Sequence, residues 1–303
     1  MKPGPIHSKQ NGISRRSFFS AAAGATAVTL IAGCGGSSSS STSTSTAPTT
    51  PSTPTLTDTD YLNYALNLEY LEAEFYLHAA TGSGLGSADS GNTTTKTTGG
   101  TQVPGLTMVQ SEYIYEIAQN ELDHVRFLRS ALASSAVAAP AIDLTNSFNA
   151  LATAAGLGSS FNPFASYSNF LIGAFIFEDV GVTAYHGAAK LLTSKTNLTA
   201  AVEIHAVEAY HAASVRSQIV LAGSSLIATA NAVETVRSML GGGNETTLSA
   251  TGIVAAAPTT SIGYERTTDQ VLHIVYGTGN GAGVKGGTFF PSGMNGNISV
   301  TTS

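Results

Sequence analysis

Apolar residues recur at spacings of three and four in four separate segments of the chain. In the first segment, these positions form a stripe of Leu62, Leu66, Glu69, Ala73 and Tyr76, in which Glu69 is the one charged residue. Such a period is typical of a helix that buries one face. The pattern predicts long helices over residues 58–80, 107–133, 167–192 and 199–222, and a weaker fifth helix over 226–240.

Four helices of comparable length can close a core without any strand. The connection between the second and third helices, residues 134–166, is long enough for a crossover between two antiparallel helix pairs. We therefore predict an all-α fold with a four-helix bundle over residues 58–240. Residues 241–303 are rich in Gly and Thr, with one apolar run at 271–276, and are predicted to form an irregular extension that packs on the bundle.

Each of the four predicted stripes contains a glutamate, and two of them also contain a histidine three residues later. An ionised carboxylate in an apolar seam is costly unless it is paired or binds a cation. Residues three apart share one helix face, so each Glu-x-x-His pair can reach one metal ion. The predicted metal ligands are Glu69, Glu121, His124, Glu178, Glu208 and His211.

A tyrosine lies two helical turns after the glutamate on the first and third helices. Tyr76 follows Glu69 by seven residues, and Tyr185 follows Glu178 by seven. The chain therefore contains the same kind of helix pair twice. Both tyrosines are candidate catalytic groups, which would form a hydrogen bond or donate an electron. On the first helix Glu72 shares the same face, so it is an alternative ligand or a group just outside the ligands.

This order of residues matches carboxylate-bridged di-iron bundles, which use one Glu from each of two helices and Glu-x-x-His from each of the other two. Two divalent cations would cancel the four negative charges. Cys34 is the only cysteine, so ligands in the bundle must be oxygen and nitrogen. That donor set suits iron or manganese and does not exclude zinc, and we predict two metal ions, with iron preferred.

The N-terminal residues 1–34 have the pattern of an export signal. Arg15-Arg16 precedes two phenylalanines, and a mild apolar stretch ends in Leu-Ile-Ala-Gly-Cys34, which resembles a bacterial lipobox. We expect the protein to be exported through the twin-arginine route and to lie in the cell envelope or periplasm. Lipidation of Cys34 would anchor it to a membrane there. Residues 35–57, rich in Ser, Thr and Pro, would form a flexible tether.

The net charge of the chain limits the classes of partner that it can bind. The whole chain has a net charge of −6, and without residues 1–34 it has nine basic and 19 acidic residues, a net charge of −10. This sign excludes a nucleic-acid binder, for which a basic surface is needed. The sequence leaves a homodimer open.

Residues 65–76, ALNLEYLEAEFY, resemble the first helix of the bacterial ferritin-like domain proteins often labelled desiccation-associated. Residues 270–276 and 289–296 resemble the Gly-rich C-terminal region of the same group, so the resemblance covers about residues 58–300. It implies a ferritin-like four-helix bundle.

The ligand order is also similar, more distantly, to that of bacterioferritin and rubrerythrin. That resemblance implies one metal on Glu69, Glu121 and His124 and the other on the remaining three ligands, with one acid of each Glu-x-x-His pair bridging. The chain departs from these families because it lacks cysteine pairs and carries long Gly/Thr-rich insertions. These departures argue against a rubredoxin-type centre and a closed ferritin shell.

Two functions of different class follow from these features. The first is an oxidoreductase of ferroxidase or peroxidase type that acts on O₂ or peroxide as a small-molecule substrate. The second is a non-catalytic, metal-stabilised envelope protein that protects against stress, and iron storage is a third, less favoured idea. Asp123 and Asp179 adjoin predicted ligands but point elsewhere, so we expect them at the surface or outside the ligand set.

Overall fold

The computed structural model describes residues 55–91, 96–279 and 281–303. The predicted export signal, Cys34 and the tether up to residue 54 lie outside these residues. Within the described parts there are eight α-helices and one pair of two-residue strands. None of the described helices is both long and apolar enough to cross a membrane.

In chain order the helices are α1 (Asp58–Thr81), α2 (Ser87–Ser90), α3 (Met108–Leu132), α4 (Asn146–Ala154), α5 (Tyr167–Ala189), α6 (Lys195–Ala222), α7 (Ser224–Leu240) and α8 (Thr268–Tyr276). The bundle pairs α1 with α3 and α5 with α6, and the two pairs meet chiefly through α1 and α5. The two helices of each pair are antiparallel, since residues near the start of one helix contact residues near the end of the other. In α5 and α6, for example, His186 contacts His205 and Asp179 contacts Arg216. The predicted all-α bundle with two antiparallel pairs and a long crossover is confirmed.

Local sequence signals set where the bundle helices begin and end. At the start of α3 the hydroxyl of Thr107 accepts from the Gln110 amide at 3.3 Å, and the Gln110 side chain accepts from the Thr107 amide at 2.9 Å. This reciprocal cap satisfies amides that would otherwise lack partners. Gly82 ends α1 with a φ of 81°, a left-handed conformation that glycine adopts without strain.

The four bundle helices differ in how much of their circumference is buried. α1 and α5 are buried on nearly all sides, whereas α3 and α6 keep one polar, exposed face. The extra burial comes from α7, α8 and the C-terminal extension, which cover the outer side of the α1–α5 layer. For example, the fully buried Asn67 donates to the Asn295 carbonyl at 2.8 Å and accepts from its amide at 2.9 Å.

The crossover and the C-terminal extension both contain short helices or strands. In the crossover lie strand β2 (Ile142–Asp143), which pairs in parallel with β1 (Thr97–Thr98), and helix α4; the extension contains α8. These elements were not predicted because a short apolar run does not by itself distinguish a helix from a strand. Along α1, the Val103 amide of the Gly/Thr-rich insertion donates to the Ala79 carbonyl at 3.0 Å, so the described part of this insertion packs on the bundle.

A buried ionic network ties the extension to α5. We call it the arginine network; its members are Asp179, Arg216, Arg237, Glu245 and Arg266, each no more than 6% exposed in its side chain. Asp179 accepts from Arg216 and from Arg237, both at 2.8 Å, and Glu245 accepts from Arg237 at 2.6 and 2.7 Å. Of the two positions expected for Asp123 and Asp179, Asp179 takes the one outside the ligand set, buried in this network, and Asp123 takes the one at the surface.

Candidate metal centre

The bundle brings the six predicted ligands to one buried place. They form what we call the Glu/His cluster: Glu69 from α1, Glu121 and His124 from α3, Glu178 from α5, and Glu208 and His211 from α6. The four glutamates are at most 1% exposed, and the two histidines are 9% and 6% exposed. One turn of helix separates Glu from His on α3 and on α6, which is why both side chains of each pair face inward.

The first group of ligand atoms surrounds His124. Its Nδ1 lies 3.2 Å from Glu121 Oε2, 3.3 Å from Glu69 Oε2 and 3.5 Å from Glu208 Oε1. Each of these four residues offers one donor atom, and the four atoms all lie within 4.8 Å of one another, which suits a single metal ion.

The second group surrounds His211. Its Nδ1 lies 2.8 Å from Glu121 Oε1 and 3.7 Å from Glu178 Oε2. Glu121 thus turns one oxygen to each histidine, the geometry of a bridging carboxylate. Glu208, which the distant resemblance places with His211, lies in the His124 group by these distances.

Most inward donor atoms of the cluster form no hydrogen bond of good geometry, even where a histidine nitrogen lies close to a carboxylate oxygen. Buried polar atoms in proteins are nearly always satisfied, so such a concentration calls for a ligand. The atoms concerned are Glu69 Oε2, Glu121 Oε1, Glu178 Oε2, both carboxylate oxygens of Glu208, and His211 Nδ1. Hard oxygen and imidazole nitrogen donors that converge without partners fit a pair of metal cations.

The two tyrosines bind the cluster reciprocally across the bundle. Tyr76 of α1 donates to Oε1 of Glu178 on α5, and Tyr185 of α5 donates to Oε1 of Glu69 on α1. The sequence placed each tyrosine on the face of its own helix's glutamate; the structure pairs it with the glutamate of the facing helix. Each bond occupies one carboxylate oxygen and leaves the other turned towards a histidine.

Two further groups lie beside the cluster. Asn120 Oδ1 is 3.0 Å from His211 Nε2, which turns Nδ1 of that ring inward. Glu72 is 5% exposed and belongs to neither ligand group, but its carboxylate approaches Glu208 across Gly181. Sequence reasoning missed Asn120, because a lone asparagine beside a ligand carries no distinguishing spacing.

Protons partly take the place of cations when no metal is bound. Burial raises the pKa of Glu69 to about 8, and burial together with neighbouring carboxylates raises the pKa values of Glu178 and Glu208. Burial opposes charge on His211 too, but Glu178 and Glu121 outweigh it and raise its pKa to about 10. Burial also opposes charge on Glu121, yet the two adjacent histidines lower its pKa below the ordinary value. The cluster therefore attracts positive charge strongly.

Comparisons with known proteins show the family of the chain. The chain is 30% identical over 170 residues to the desiccation-related protein PCC13-62 of Craterostigma plantagineum, an alignment that covers 53% of this chain and 52% of that protein. It is 27% identical over 268 residues to the ferritin-like catalase Nec2 of Nesocodon mauritianus, covering 80% of this chain and 84% of that protein. The model of the ferritin-like domain matches residues 57–220, more than half of the chain. The chain therefore belongs to the ferritin-like domain family.

Proposed function

We propose that the Glu/His cluster holds two metal ions, iron in the working protein, and that this centre reacts with dioxygen or peroxide. The observation that carries the proposal is the convergence of four glutamates and two histidines, with buried donor atoms on the glutamates and on His211 that form no hydrogen bond. Two divalent cations offset the charge of the four carboxylates. The same donors accept manganese or zinc, so elemental analysis decides the metal.

The chain's own residues hold and shape such a centre. Glu121 would bridge the two ions, and His124 and His211 would each bind one through Nδ1. The tyrosine hydroxyls fix Glu69 and Glu178, and the buried surroundings exclude bulk water. When bound, a redox-active metal pair supplies electrons two at a time to an oxidant.

Peroxide is supported as an oxidant by one of the relatives. The similar protein from Nesocodon mauritianus is named a ferritin-like catalase, and the alignment spans most of both chains.

The proposal is tested by substitution of two ligands. Glu121→Gln and His211→Ala should lose bound metal, measured by elemental analysis, together with peroxide turnover, measured by oxygen evolution or peroxide loss. Glu116→Gln, which changes an exposed glutamate on the same helix, is the matched control and should keep both. Normal turnover in the ligand variants would refute the mechanism.

A non-catalytic role is the second candidate. Cations in the cluster would neutralise buried carboxylates and hold the bundle closed, and a similar protein is named desiccation-related. Stopped-flow mixing of the ferrous protein with O₂ and with peroxide separates the two roles, because a scaffold shows no fast spectral change.

We also propose that the protein is exported and anchored by a lipid on Cys34. The support is the twin-arginine pair and the lipobox-like run before that cysteine. Cys34→Ala should shift the protein from the membrane fraction to the soluble fraction, and mass spectrometry of the N-terminus should show the acylated cysteine only in the unsubstituted chain.

A further inference from the structure

An apolar cavity of about 110 Å³ lies between the bundle and the C-terminal elements. Its wall is formed by residues of α4, α5, α7 and α8 and of the segment after α8, chiefly Leu151, Ile176, Val233, Val236, Ile274 and Phe289. Exposed Ala154 and Gly277 lie at its rim, so the cavity opens towards solvent there.

The few polar side chains in the wall are already engaged. The Arg237 guanidinium is held by Asp179 and Glu245, and the Thr288 hydroxyl donates to the Val275 carbonyl at 3.0 Å. A cavity without available polar partners excludes ordered water and suits small apolar molecules. Peroxide and ions would lose their hydrogen bonds to water on entering such a space.

A second, narrow space lies next to the cavity on the side of the Glu/His cluster, where Glu72 and Gly181 line it. It measures about 10 Å³ and shares Ile176, Ile274 and Phe289 with the cavity wall. The rest of its lining is apolar except for Glu72. About 10–15 Å³ is the least that admits one water-sized molecule, so only a very small molecule can pass here.

Gly181 lets the Glu208 carboxylate come close to the backbone at the inner end of this space. A Cβ atom at this position would lie 2.4 Å from Glu208 Oε2 and 3.2 Å from Glu72 Oε1. The backbone of Gly181 has no positive φ that would itself require glycine. Glycine is disfavoured inside a helix, and its presence here is explained by the Glu208 carboxylate, which lies where a Cβ atom would be.

We propose that the cavity and the narrow space form a passage through which dioxygen reaches the metal centre where Gly181 and Glu72 adjoin Glu208. Dioxygen is apolar and has two heavy atoms, so it fits both the dry walls and the narrow part. Ile274 and Phe289 lie beyond residues 57–220, so the C-terminal region adds this route to the ferritin-like domain. The role of the passage rests on the proposed function, whereas the cavity itself can be tested without metal.

The first test uses xenon as a probe of the metal-free protein. Crystals under xenon pressure, or ¹²⁹Xe NMR, should show xenon in the cavity. Val236→Phe should abolish it by filling the space, and Leu151→Phe, at a half-buried position, is a milder second variant. Val254→Phe, in a separate cavity near Arg216, is the matched control and should leave xenon in place. Absence of xenon from the unsubstituted protein would overturn the proposal.

The second test compares two oxidants in the iron-loaded, reduced protein. Val236→Phe should slow oxidation by O₂ about tenfold, because a close-packed interior opens only through side-chain motion. Metal content and the reaction with peroxide should stay unchanged, as should both reactions in Val254→Phe. An unchanged O₂ rate with a normal peroxide reaction refutes the passage alone. Failure to bind metal or to react with either oxidant refutes the proposed function and, with it, the passage's role.

Discussion

The Glu/His cluster and the arginine network are equally buried but balance their charges differently. In the arginine network, Asp179 and Glu245 accept from three arginines at 2.5–2.8 Å. In the Glu/His cluster, four glutamates face two histidines, and none of the described lysines or arginines forms an ion pair with them. The first region is complete as folded, whereas the second is compatible with a counter-charge that bound cations would supply.

This difference distinguishes a structural site from the proposed metal site. Burying an ion costs several kcal/mol, which only close opposite charges and hydrogen bonds offset. The arginines supply both for the network, and Arg216 and Arg237 also lie 5.5 and 4.6 Å from the centre of the Phe175 ring. The Glu/His cluster keeps unpartnered donors, the arrangement expected where a protein accepts stability loss for binding or catalysis.

The largest effect is expected from breaking the arginine network. Arg237→Met should lower the free energy of unfolding by about 3–5 kcal/mol, because Asp179 and Glu245 lose a buried partner. Denaturant unfolding of the metal-free protein measures it. The matched control is Lys190→Met, which breaks the exposed pair with Glu265 and should cost less than about 1 kcal/mol. Equal losses in the two variants would contradict the comparison.

Metal removal should have the next largest effect. A ligand at about 100 times its dissociation constant stabilises the folded state by about 2.7 kcal/mol, so a chelator should lower the melting temperature and iron should restore it. Calorimetry with and without chelator measures the change. If the melting temperature were the same with and without metal, the cluster would not bind a metal ion tightly.

A smaller effect is expected from the reciprocal tyrosines. Tyr76→Phe and Tyr185→Phe each release one carboxylate oxygen and should weaken metal binding by about 10–100-fold, the usual result of removing a group that orients a ligand. Titration calorimetry measures the affinity. Tyr276→Phe, which loses a bond to the Ser299 carbonyl, should leave the affinity unchanged. Equal affinities in all three variants would rule out a positioning role.

The sequence was sufficient for the bundle because each helix keeps a long periodic stripe with a glutamate in it. It was also sufficient to choose the residues that the fold brings together, since Glu-x-x-His places two donors on one helix face. The reciprocal tyrosine bonds were not predictable, because spacing within a helix says nothing about the facing helix.

The arginine network was not foreseen for a related physical reason. Asp179 pairs with Arg237, 58 residues later and on the weakest predicted helix, and Arg266 lies in a segment without periodicity. A single arginine in such a segment is usually exposed. Only the packing of the extension against α5 turns these positions into an interior, and pairing across that distance leaves no local pattern.

The smallest change in stability should come from Glu208→Gln, and it gives the sharpest contrast with Arg237→Met. The substitution keeps the shape of a fully buried side chain whose pKa is raised by burial and by Glu121. It removes one of several like charges, so the metal-free protein should change by no more than about 1 kcal/mol, or become more stable. Metal binding should fall, because a carboxylate donor is lost. Denaturant unfolding and elemental analysis of the same preparation measure both. A loss as large as that of Arg237→Met would mean that Glu208 is already paired in the folded chain, and the two buried regions would then be alike.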